Sequence, residues 1–221
     1  MTATLRYRAV LFDLDGTLVD SYSALTEAVN HARRTHGLDD LHGARIRELV
    51  GDGIESLLQR AFEQPEIPDT VVRAFEARYD EVCCHESRIL AGVESTLAML
   101  DRLGIRMAVC TNKPTYFSKK ILDFLGLAPY FRAVVGPDVA GARKPDARHL
   151  LAALAAVDHG REHALFVGDM PVDVQAARNS GIDVAVVATG SSTREALAAL
   201  RPDHFLERFA DLVKLVRREA A

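Results

Sequence analysis

The sequence predicts an α/β fold, a doubly wound, parallel-sheet core with an α-helical segment inserted after its first strand. Three observations predict it. Short, near-continuously apolar runs alternate with segments of helical period, the pattern of strands covered on both faces. Glycines stand where those helical segments stop. One interval, from about Ser21 to His85, breaks the alternation and reads as helix throughout.

The first strand is Ala9–Phe12, and further strands are expected at Ile105–Cys110, Ala133–Val135, Ala164–Val167 and Val184–Val187. Between them, helical spacing predicts helices over about Val93–Leu103, Thr115–Leu125, Ala147–Val157 and Val172–Asn179. Gly104, Gly126, Gly160 and Gly181 supply the stop signals. Within the interval, Leu49, Ile54, Leu57, Leu58 and Phe62 recur at helical spacing, as do Val71, Val72, Phe75 and Tyr79. A small helical bundle inserted there sits over the carboxyl ends of the strands, where ligands bind in such sheets, and so reads as a lid. The expected division is a core of residues 1–20 and 88–221 with a cap of residues 21–87.

Composition narrows the function classes. A length of 221 residues allows one sizeable domain or a core with an inserted subdomain. The net charge of -4 weighs against a nucleic-acid partner, which calls for a basic face. Lys214, Arg217 and Arg218 read as cations at a helix end. No apolar stretch is long enough to span a membrane, and Met1 to Arg8 lacks the apolar centre of a signal peptide, so the expected location is cytoplasmic. Cys110 lies in an apolar run and is expected to be buried, while Cys83-Cys84-His85 lacks the ligand spacing of a metal site. The expected assembly is a monomer or homodimer.

Chemistry concentrates at the strand ends. The apolar run ends in Asp13-Leu14-Asp15-Gly16-Thr17. Two carboxylates in a partly dry cleft repel each other unless a cation or proton compensates them. A calcium loop would need further oxygen ligands and a closing glutamate, and Thr17-Leu18-Val19-Asp20-Ser21 breaks that register. Thr111-Asn112-Lys113-Pro114 follows a later strand, and suits either a phosphate or an ordinary helix start with proline in its first turn. Lys144, beside Pro145, offers a fixed positive charge, although most lysines are simply solvated. Gly168-Asp169-Met170-Pro171-Val172-Asp173 places two carboxylates four residues apart, on one face of a strand-to-helix turn. A bound cation resolves the repulsion that Asp169 and Asp173 add to Asp13 and Asp15.

With these residues in this order, the chain resembles the haloacid dehalogenase superfamily, in its phosphatase branch with a helical cap. Asp20-Ser21, Gly51-Asp52-Gly53, Thr111-Asn112-Lys113-Pro114 and Leu125-Gly126-Leu127 before Tyr130-Phe131 make it most similar to the phosphoglycolate phosphatases. Met170 and Asp146-Ala147 depart from the usual pattern at positions the chemistry does not require. The resemblance implies that Asp13 is the nucleophile, forming an aspartyl-phosphate, and that Asp15 is general acid and then base. It implies Mg²⁺ held by Asp13, the Asp15 carbonyl and Asp169, with Asp173 orienting its waters. Phosphate binding is expected from Gly16, Thr17, Thr111, Asn112 and Lys144, and Lys144 also neutralises Asp13.

The cap is expected to select the substrate through Gly51 and Gly53, and through Arg45 or Arg47 meeting a carboxylate. The linkers near Asp20-Ser21 and Ser87-Arg88 are candidate hinges. The expected substrate is a small phosphorylated metabolite, first of all 2-phosphoglycolate. Alternatives are a β-phosphoglucomutase-like phosphotransferase or a pyrophosphatase of the same fold and, from another class, a phospho-receiver signalling domain. Haloacid dehalogenases proper lack the second acid, so Asp15 and Lys144-Pro145 point away from them.

Overall fold

The computed structural model describes residues 5–217, so Arg218 and residues 1–4 lie outside it. Chain order begins with β1 (Ala9–Phe12) and β2 (Val19–Asp20). Four helices follow, α1 (Tyr22–Thr35), α2 (Gly43–Leu49), α3 (Ile54–Phe62) and α4 (Asp69–Val82). Next come β3 (Arg88–Ile89), α5 (Val93–Arg102), β4 (Arg106–Cys110), α6 (Thr115–Phe124), β5 (Ala133–Val135), α7 (Pro137–Ala140) and α8 (Ala147–Ala156). The chain continues through β6 (Ala164–Gly168), α9 (Pro171–Ser180), β7 (Asp183–Val187), α10 (Arg194–Ala199), β8 (His204–Leu206) and α11 (Leu212–Val216).

Six strands form one parallel sheet in the order β5-β4-β1-β6-β7-β8. Why both strand faces read as apolar is visible in the packing. Val10, Phe12, Val109, Val167 and Val187 face α5, α6 and α11, burying Leu97, Ile121 and Leu212 among others. Their neighbours Ala9, Leu11, Ala108, Phe166 and Val186 face the opposite way, onto Leu150, Leu154 and Val174 of α8 and α9. The side chains of each strand thus alternate between two cores, as its pleat requires. The expected doubly wound α/β fold is the fold found.

The order places β1 at the centre, where the direction of winding reverses and a crevice opens beyond the strand ends. Phe12 stands level with Val109 of β4 and with Val167 of β6. Residues that follow these three strands therefore arrive together at one edge.

Some elements differ from expectation. β2 and β3 form a separate antiparallel pair in which Asp20 lies opposite Arg88. These two-residue ribbons flank α1–α4, so the chain enters and leaves the helical insertion through adjacent strands. Gly160 is not the left-handed residue after α8; Asp158 takes that conformation with φ 51°, two residues earlier. Gly104, Gly126 and Gly181 do adopt it. No helix among the described residues is long and apolar enough to cross a membrane.

Candidate functional site

Asp13 follows β1 directly, and its backbone N–H donates to Val167 O at 2.9 Å, extending the ladder by one residue. Asp169 follows β6, and Asp173 lies in the first turn of α9. One carboxylate oxygen from each of these three acids lies within 4.8 Å of the other two, and all three are buried. Lys144, itself buried, reaches Asp13 Oδ1 and Asp173 Oδ1, each at 2.8 Å.

Asp173 is fully engaged. Its Oδ2 accepts the N–H groups of Asp169 at 3.1 Å and Met170 at 3.0 Å, capping α9, while Oδ1 takes Lys144. Gly168 is required beside it, because a Cβ there would lie 2.4 Å from Asp173 Oδ2. Asp169 is not fully engaged. Its Oδ1 accepts the Thr17 hydroxyl at 2.7 Å, but its buried Oδ2 has no hydrogen-bond partner. The loop after β7 lies against that oxygen, where a Cβ on Gly190 would come within 1.5 Å of it.

Electrostatics follow from this layout. Burial, then the charges of Asp173 and Asp13, push the Asp169 carboxyl well above the usual carboxylate range. Burial likewise raises Asp13, with Lys144 opposing. Burial works against the Lys144 charge, but Asp13 and Asp173 more than reverse that, and its pKa stands above the ordinary lysine value. Ionised together, three carboxylates against one ammonium would leave two negative charges uncompensated. A divalent cation matches that deficit, and hard carboxylate oxygens with one buried oxygen unpartnered are a donor set that suits Mg²⁺.

Asp15 stands apart from this cluster. Its Oδ1 accepts Lys113 Nζ at 2.6 Å and the Ser21 hydroxyl. Lys113 Nζ in turn donates to the Tyr79 hydroxyl of α4 at 2.6 Å. Neither Lys113 nor Tyr79 is singled out for function by the sequence. Tyr79 occupies an apolar position of a helical repeat, and nothing local tells a core tyrosine from one whose hydroxyl meets a partner 34 residues on.

The other expected site residues divide. Thr111, Asn112, Gly51 and Gly53 line a small cavity with Asp13 and Asp15, and Leu25, Val50, Ile54, Leu57, Lys113 and Met170 complete it. Asn112 is committed elsewhere than expected: Nδ2 donates to Gly51 O and Lys144 O, each at 3.1 Å, and Oδ1 accepts Lys144 N at 2.8 Å. It therefore pins the lysine loop and the Gly51 loop, with no amide hydrogen left for a phosphoryl oxygen. Gly16 and Thr17 also differ from expectation. Their N–H groups donate to Val19 O at 2.8 Å and Leu14 O at 3.3 Å, so these two hold the turn and Asp169.

Neither cap arginine lines the cavity. Arg45 pairs with Glu48 on an exposed helix face. Arg47 crosses to the loop after β7, donating to Thr189 O at 2.9 Å and Gly190 O at 2.8 Å, with its guanidinium 4.2 Å from the centre of the Tyr22 ring. Cys83, Cys84 and Cys110 are buried, free thiols.

A family model described as haloacid dehalogenase-like hydrolase matches residues 10–187. The chain is 37% identical to a phosphoglycolate phosphatase of Caulobacter vibrioides, covering 93% of this chain and 89% of that protein. It is 35% identical to an N-acetylmuramic acid 6-phosphate phosphatase of Pseudomonas aeruginosa, covering 84% of each. A crystal structure from Haemophilus somnus, described as that of a predicted phosphoglycolate phosphatase, superposes with a TM-score of 0.88 at 29% identity, covering 96% of this chain and 99% of that one.

Proposed function

The chain belongs to the haloacid dehalogenase-like hydrolases, and on that premise we propose that it is a Mg²⁺-dependent phosphomonoesterase acting through an aspartyl-phosphate on Asp13, with 2-phosphoglycolate as its substrate. The observation that carries this reading is the buried, unpartnered Asp169 Oδ2 within a carboxylate cluster that a single lysine leaves short of positive charge.

Asp13 lines the cavity and attacks phosphorus through a carboxylate oxygen, while Lys144, bonded to its Oδ1, keeps that carboxylate ionised and oriented. Asp15, also at the cavity, gives a proton to the departing ester oxygen and then takes one from the water that cleaves the acyl-phosphate. Thr111 lines the cavity, and its hydroxyl, which accepts the Lys113 N–H at 3.3 Å, keeps its own hydrogen to donate to a phosphoryl oxygen. The carboxylates of Asp13 and Asp169 with the Asp15 carbonyl would hold the ion, and Asp173 would orient the waters around it. When bound, Mg²⁺ supplies charge neutralisation of the phosphoryl oxygens beside the acids.

In this reading residues 1–20 and 88–221 form the catalytic core and residues 21–87 the cap. The paired β2 and β3 are its stalk. Cap-side cavity residues are Leu25, Val50, Gly51, Gly53, Ile54 and Leu57. Such a wall offers a leaving group few side-chain hydrogen bonds, which favours a short one over a polyol, whose hydroxyls would be left unpaired.

The test is steady-state hydrolysis of a panel holding 2-phosphoglycolate, N-acetylmuramic acid 6-phosphate, a hexose phosphate and pyrophosphate, with and without Mg²⁺. The expected result is Mg²⁺-dependent release of phosphate with the highest kcat/KM on 2-phosphoglycolate. Preference for a sugar phosphate would replace the substrate and keep the chemistry. Stoichiometric self-phosphorylation without turnover would overturn both.

A further inference from the structure

We propose that Lys113, held by the Tyr79 hydroxyl of the cap, is a positioning residue that fixes the Asp15 carboxyl for leaving-group protonation, so that seating the cap completes the acid. The proposal rests on the hydrolase reading above and goes beyond it, since neither residue belongs to the acid cluster.

Both groups are buried, Lys113 at 6% exposure and Tyr79 at 0%. Lys113 comes from the loop after β4, whereas Tyr79 comes from α4 in the inserted helices, so the ammonium joins the two parts of the chain. Its contacts with Asp15 Oδ1 and Tyr79 Oη are both 2.6 Å. The Ser21 hydroxyl, at the entrance to the insertion, donates to the same Asp15 oxygen. With Oδ1 anchored twice, Oδ2 is the oxygen left for the cavity that Asp15 lines. The Tyr79 ring is itself fixed. Near-parallel stacking on Phe75, ring centroids 5.5 Å apart, and an edge contact with Phe117 of α6 at 5.0 Å hold the ring and so the position of its oxygen.

A lysine alone would hold Asp15 loosely. The ammonium sits on a flexible four-carbon stem, and an anionic phosphoryl group entering the cavity would compete for it. The tyrosine oxygen occupies a second of its three donors and keeps it on the carboxylate side.

The step served is balanced as follows. A bond forms between an Asp13 oxygen and phosphorus, the phosphorus–ester oxygen bond breaks, and its electron pair leaves with the ester oxygen, which takes a proton that Asp15 Oδ2 has picked up from solvent before the substrate enters, while Oδ1 stays bonded to Lys113. An alkyl leaving group needs that proton. A p-nitrophenolate leaving group does not.

The experiment compares kcat/KM for 2-phosphoglycolate and for p-nitrophenyl phosphate, since this ratio reports the first chemical step. Tyr79→Phe removes only the hydroxyl and keeps the ring stack. It is expected to lower the alkyl-to-aryl ratio on the order of tenfold, the weight of one hydrogen bond to a charged group, with half-saturation by Mg²⁺ unmoved. Lys113→Met is expected to lower the ratio further. If Lys113→Met does not fold, Tyr79→Phe decides alone. Equal losses on both esters, or a rise in KM for both with the ratio unchanged, would overturn the proposal. A wild-type protein that releases phosphate from neither ester nor from any other member of the panel above would overturn the hydrolase reading itself, and the proposal with it; one active only on a sugar phosphate keeps that reading, and the ratio is then taken with that ester as the alkyl substrate.

Discussion

Each of the two aspartates that follow β1 has its own buried lysine, and the two lysines sit in opposite electrostatic situations. Lys144 is shared between Asp13 and Asp173, with Asp169 beside them. Lys113 serves Asp15 and a neutral tyrosine hydroxyl. The first corner carries more negative charge than it can balance. The second is balanced as it stands. A buried surplus is unstable unless something fills it, so it marks where a cation and a phosphoryl group are to come. A balanced pair with an extra hydrogen bond has nothing to recruit, and instead fixes a side chain in place.

The largest effect should come from the surplus corner. Asp13→Asn keeps the shape and one oxygen but removes the nucleophile, so kcat is expected to fall by at least about 10⁴-fold. Near-native phosphate release by this variant would break the distinction between the corners, since Asp13 would then be only another buried acid.

A second substitution separates charge from chemistry. Asp169→Asn preserves Oδ1 for the Thr17 hydroxyl and replaces the unpartnered oxygen by an amide that can donate to a neighbouring carboxylate. Mg²⁺-dependent activity should be lost, while the metal-free protein should melt a few degrees higher, about 2–4 °C per kcal/mol recovered. A lower melting temperature in the metal-free variant would mean that the acids are not in electrostatic conflict.

The pH dependence sharpens the same point. Because Asp169 titrates above its ordinary value of 3.8 in the folded protein, the native state binds more protons than the unfolded chain between those two values. Stability of the metal-free protein therefore falls as pH rises from about 3.8 through the folded value, then levels off. His149, buried against Val135 O, pulls the other way, since burial lowers its pKa and acid below about 6.5 destabilises it. Subtracting the Asp169→Asn melting curve from that of the wild type cancels the histidine. The difference should grow with pH without Mg²⁺ and shrink when Mg²⁺ is added.

The two corners were also unequally legible in the sequence. Asp13, Asp169 and Lys144 stand just after apolar runs or just before a helical repeat, and a parallel sheet brings such positions to one edge whatever the side chains are. The sheet order adds only which strands are neighbours. Tyr79 and Lys113 meet through tertiary packing alone, and a tyrosine in a Phe75-Tyr79 helical stripe is indistinguishable from core. β2 and β3 escaped for a different reason: two residues are too few to show a period of two. Asn112, Gly16 and Thr17 lie beside the acids, but a sequence cannot say which hydrogen bonds are already taken.

The smallest effect is expected from the two cap arginines, which the sequence treats alike and the structure does not. Arg45 lies on an exposed face with Glu48 three residues along, and such surface pairs change little when broken. Arg47 instead holds the carbonyls of Thr189 and Gly190, and Gly190 is the residue packed on the unpartnered oxygen of Asp169. Arg47→Met should leave Asp13 chemistry intact yet loosen that loop, raising the Mg²⁺ concentration for half-saturation on the order of threefold, the weight of an ordinary hydrogen bond. Arg45→Met should leave it unchanged. Metal titrations of the two variants at fixed substrate check the difference. Equal behaviour would mean that the cap does not reach the surplus corner through this loop, leaving the Asn112 link between Gly51 and Lys144 as its connection there.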